Sequence, residues 1–118
     1  MTTPNALFEE MAVFASRARE ATASGAQAFA RLLAAAEHSD SGQTGRIASF
    51  VAATYNGQAF PLDVYELRCV DIALSDDMLA CLDALRWAEA DLHTLVPEGD
   101  ARARRVIRNT GLRKPGTE

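Results

Sequence analysis

Apolar residues recur at helical spacing along most of the chain. Leu7, Phe8, Met11, Phe14, Ala15 and Ala18 stand three and four residues apart, which predicts a helix from about Asn5 to Thr22, capped by Asn5 behind Pro4. The Ser24-Gly25 pair then predicts a break, because glycine and serine both disfavour a helix interior. A second stripe of Phe29, Leu32, Leu33 and Ala36 predicts a helix ending near Glu37 or His38. The third stripe is Ile47, Phe50, Val51 and Thr54 or Tyr55, with Asn56-Gly57 expected to stop it through a left-handed residue.

Farther along, Asp63 precedes Glu66 by the spacing of a capping box and opens a fourth expected helix with Val64, Leu67, Val70 and Leu74 on its face. Ser75 followed by Asp76 and Asp77 predicts the start of a fifth, since a capping hydroxyl and two negative charges suit the positive end of a helix dipole. Its stripe is Met78, Leu79, Leu82 and Leu85. Asp91 caps a short turn through LHTLV, and Asp100 caps a last helix with Ala103, Val106, Ile107 and Thr110 inward and Gly111 as its stop. Residues 113–118 are expected to fray. With no strand alternation and no internal repeat, the expectation is an all-α fold: one compact domain spanning 1–118, of five or six helices.

A chain of 118 residues with 48% hydrophobic and 24% charged residues can bury a core without a metal or disulfide. The net charge of -4 argues against a molecule-wide nucleic-acid field. Charge is segregated, however: carboxylates dominate from Asp63 to Asp91, whereas Arg102, Arg104, Arg105, Arg108, Arg113 and Lys114 hold half of the twelve basic residues. Such asymmetry can support an acidic protein partner or self-association as a homodimer. Cys69 and Cys81 form no CxxC and read as free thiols. No apolar run has the length of a membrane span, and Glu9, Glu10 and Arg17 occupy the place of a signal peptide's apolar region, so a cytoplasmic protein without membrane contact is expected.

Candidate chemistry is sparse. Gly42 and Gly45 lack the spacing, the lysine and the preceding strand of a nucleotide loop, so SGQTGR reads as a helix start capped by Ser39, Asp40 or Ser41. His38 and His93 share no metal-ligand spacing, and a small enzyme or metal protein built on them is an alternative that needs a site assembled in three dimensions. There is no GxSxG elbow, and Asp76 and Asp77 point about 100° apart on a helix, so no catalytic residue, metal ligand or cofactor is assigned. Arg46, Arg68 and Asp71 are the informative polar residues. Asp71 lies beside an apolar stripe, and it reads either as an internal ion pair fixing the third helix against the fourth or as part of a polar pocket with Arg46, Tyr55, Asn56 and Arg68. His93, Arg102 and Arg105 complete the candidate binding residues. The arginines of the last helix also allow a nucleic-acid-binding alternative.

SGQTGRIASF, YN, FPLDVYELRCVDIALSDD and HTLVPEGDARARRVIRNTGL together resemble a family of short uncharacterised bacterial proteins from plasmid-like and integrative-element regions. The resemblance rests on Ser41, Gly42, Gln43 and Arg46, on Tyr55 with Asn56, and on Asp63, Asp71, Asp76 and Asp77. It spans about Ser39 to Leu112 and leaves residues 1–24 outside. Asn109 and Thr110 stand where that family tends to carry Asp-Trp. The resemblance implies a small accessory protein rather than a reaction. The function expected is therefore a non-enzymatic protein-protein interaction or regulatory module.

Overall fold

The computed structural model describes residues 4–38 and 42–112, so Ser39, Asp40, Ser41 and the tail from 113 lie outside the described residues. Four α-helices carry the fold: α1 (Pro4–His38), α2 (Thr44–Tyr55), α3 (Ile72–Trp87) and α4 (Gly99–Asn109). Two short 3-10 helices, Val64–Arg68 and Leu92–Thr94, link them. The described residues contain no strand, and none of their helices is long and apolar enough to cross a membrane. The fold is thus all-helical, with fewer and longer helices than the sequence led us to expect.

Several expected boundaries fail: α1 begins at Pro4, so Asn5 lies inside it rather than capping it, and two further cases have a tertiary cause. Ser24 and Gly25 do not break the first helix. A Cβ added at Gly25 would collide with that of Ala84 and crowd the carbonyl of Ala80, while only touching the side chain of Leu92. Glycine is there to let α1 and α3 approach, and this contact offsets the roughly 1 kcal/mol that glycine costs in a helix. Cys81 Sγ also reaches the Gly25 carbonyl at 3.7 Å.

Nor does Ser75 start a helix. Asp71 precedes the first turn of α3, its backbone N–H held by Gln43 Oε1 at 2.6 Å, and Ser75 N–H already donates to the Asp71 carbonyl. Ser75 is therefore buried inside α3, with its hydroxyl on the Ile72 carbonyl. The expected fourth helix contracts to the 3-10 turn Val64–Arg68. Asp63 does cap it through Tyr65 N–H, at 2.9 Å, while the Glu66 carboxylate turns to Arg46.

Chain reversals agree better. α2 stops at Tyr55, but Asn56 is extended at φ -152 rather than left-handed and uses its side-chain oxygen to hold Ala59 N–H. α3 stops at Ala88, which adopts φ 57. Asp91 precedes the short turn as expected, but Asp100 does not cap α4: it lies inside the first turn, and Glu98, left-handed at φ 57, precedes the helix. Gly111 takes φ 74 after α4, the left-handed stop that the sequence indicated.

The core lies between the second half of α1 and the other helices, with Phe29, Leu32, Leu33, Phe50, Ile47 and Met78 fully buried. α3 runs antiparallel to α1: Arg31 pairs with Asp77, Gly25 meets Ala84, and Phe14 meets Trp87. At 1.5 Å per residue α1 is about 52 Å long and α3 about 24 Å, so α3 ends at Trp87 while α1 continues past it. The molecule is accordingly elongated, 58 × 29 × 28 Å. Its radius of gyration, 16.4 Å, exceeds the roughly 13.5 Å of a compact chain of this length.

Candidate interaction site

The part of α1 beyond the end of α3 forms an arm. Along α1 the residues Leu7, Met11, Phe14, Ala18, Ala21 and Gly25 alternate spacings of four and three, the signature of one seam facing a partner helix. From Ala18 onward that seam is buried in the molecule's own bundle. On the arm it is bare: Leu7 is 50% exposed, Phe8 69%, Met11 64% and Phe14 55%. The same stripe that makes the core therefore runs out into solvent for its last two turns. The sequence pattern located this face correctly; the expectation of a separate helix hid its continuity with the core.

At the root of the arm Arg17 lies over two rings, 5.8 Å from the centre of Phe14 and 5.3 Å from that of Trp87. The two rings are themselves 6.4 Å apart. Arg17, Glu20, Asp83, Arg86 and Trp87 border an open depression of about 280 Å³ between α1 and α3. Its charged side chains stand on an open rim, and they offer no converging set of buried polar groups.

The polar residues singled out by sequence divide into two corners. In the first, Arg46 NH1 donates to Glu66 Oε2 at 3.1 Å, and Arg68 lies 5.6 Å over the Tyr65 ring. Asp71 is exposed and meets Gln43, whose Nε2 donates to Asp71 Oδ2 at 3.1 Å. The internal Arg46–Asp71 pair is thus corrected: Asp71 stands at the start of α3, at the surface, where a glutamine amide can hold its backbone and carboxylate together. Asn56 is exposed at the end of α2 and belongs to its turn, so Arg46, Tyr55, Asn56, Arg68 and Asp71 do not line one pocket.

The second corner gathers Tyr55, His93 and the start of α4. The Tyr55 hydroxyl donates to Asp100 Oδ1 at 2.7 Å and accepts from Arg104 Nε at 2.7 Å, and its ring lies 4.9 Å from that of His93. Beside it Arg102 forks onto Glu37, with contacts of 2.6 and 3.0 Å. That bond holds the Glu37 carboxyl below its ordinary range, and it raises Arg102 in turn. Tyr55, His93 and Arg102 are among the candidate binding residues of the sequence, though not as one group; Glu37 and Asp100 are not among them, because their partners lie 65 and 45 residues away. The geometry closes the bundle, joining the ends of α1 and α2 to α4.

Of the arginines on α4, Arg102 and Arg104 are engaged with carboxylates, and Arg105 and Arg108 are exposed. Among the described residues no three His, Cys, Asp or Glu side chains converge so as to hold a metal. Cys81 is buried, and burial pushes its thiol up to about 12, so it is a core side chain rather than a nucleophile. Cys69 is exposed and free.

These features define a small helical bundle with an apolar helical arm. The chain belongs to a family of unknown function, DUF7673, whose profile matches residues 26–111. The match begins inside α1, after the arm, and covers the bundle. Comparisons with curated proteins and with solved structures find no match.

Proposed function

We propose that the protein is a non-enzymatic interaction module whose docking surface is the bare seam of the α1 arm. The observation that carries this reading is the exposure of Leu7, Phe8, Met11 and Phe14 on a stripe that is core one turn later. Four such side chains expose on the order of 500 Å² of contiguous apolar surface, at the upper end of what a monomer leaves open to water. The bundle supplies a rigid base for that surface. Its charged corners close the fold through Glu37–Arg102 and Tyr55–Asp100, while Leu7, Phe8, Met11, Val13 and Phe14 of the arm stay exposed.

A regulatory or accessory role in the cytoplasm, of the kind found in mobile elements, fits a module that binds and does not turn over a substrate. The test is a photo-crosslinking side chain placed at Phe8 in cells, with a control at Arg105. A covalent polypeptide adduct is expected from position 8 and its loss on Met11→Asp. Adducts from position 105 alone would overturn the reading.

A further inference from the structure

Resting on that docking face, the geometry points to its occupant: a second copy of this chain, with the two arms packed antiparallel. The charges beside the seam decide this. Glu10 and Arg17 lie one heptad apart on the same flank of the stripe, each directly before a seam residue, Met11 and Ala18, and both are exposed. In an antiparallel pair that flank faces its own counterpart. Glu10 of each copy then meets Arg17 of the other, twice by symmetry, as Met11 of each copy packs on Phe14 of the other.

A parallel pair places the same residues opposite Ala15 and Thr22, which offer no charge, and aligns the two helix dipoles unfavourably. Antiparallel packing also carries Leu7 and Phe8 to the rim of the second bundle, where α3 ends at Trp87 beside Phe14. The arm is therefore self-complementary in pattern, charge and length.

Two such faces amount to about 1,000 Å² of apolar surface, near the lower limit of a specific interface. The dimer is consequently one that dissociates on dilution through the micromolar range. Sedimentation velocity on the full chain, from low micromolar to about 0.5 mM, reads it directly. The mass is expected to rise from 12.7 kDa to twice that value.

Glu10→Arg and Arg17→Glu should each move the midpoint to a concentration about tenfold higher or more. Each variant alone faces like charges, whereas an equimolar mixture of the two restores both contacts and should recover the wild-type midpoint. Helicity and melting of each variant are followed alongside, so that a folding defect is seen as such. A wild-type chain that stays monomeric overturns the second copy while leaving any crosslink to another polypeptide from position 8 intact. A dimer indifferent to Met11→Asp overturns both this inference and the arm as docking face. Single variants that weaken the dimer without recovery on mixing overturn the antiparallel register.

Discussion

Glu37 and Arg102 show how single residues tie this bundle together. Both side chains are largely shielded, at 16% and 22% exposure, and the forked bond joins the end of α1 to the start of α4. Because the bond lowers the Glu37 carboxyl from its ordinary 4.5, its stabilisation is fully present above that pH and is lost as pH falls through the lowered folded value. Glu37→Gln should cost about 1–2 kcal/mol at neutral pH. The deficit should shrink as the pH falls below 4.5 and on through the lowered folded value, which thermal melts across pH will read. None of this was visible in the sequence, where Glu37 was only the end of a stripe. Arg46 and Asp71, by contrast, drew notice as charges near apolar positions. Their separate partners, Glu66 and Gln43, depended on a chain path that local periodicity does not encode.

The helices themselves were legible wherever spacing of three and four decides, as at Phe29, Leu32, Ile47, Phe50 and Val106, all of which are buried. Boundaries were less so, because Gly25 and Ser75 carry the local marks of breaks and caps but occupy helix interiors for tertiary reasons. Gly25 is the sharper case. Gly25→Ala gains helix propensity of about 1 kcal/mol, yet the added methyl meets Ala84, and overpacking of that kind costs about 1–3 kcal/mol. A net loss of stability is expected in urea melts, with partial recovery when Ala84→Gly is added. A stabilised Gly25→Ala protein would show that α1 and α3 do not need the close approach.

At the scale of the whole molecule, the long axis of 58 Å is that of α1. A helix that outruns its partner leaves part of its seam without a mate, and the arrangement of Glu10 and Arg17 beside that seam matches a second arm running the other way. The apolar face was readable from Leu7 to Ala18, but its exposure was not: it follows from where α3 stops, at Trp87, and from which part of α1 that end reaches. Amide hydrogen exchange of residues 7–17, measured on dilute and concentrated protein, tests this most directly. Slower exchange in the arm at high concentration, with residues 26–38 unchanged, is the predicted result. Identical arm exchange at every concentration would contradict the pairing of the arms.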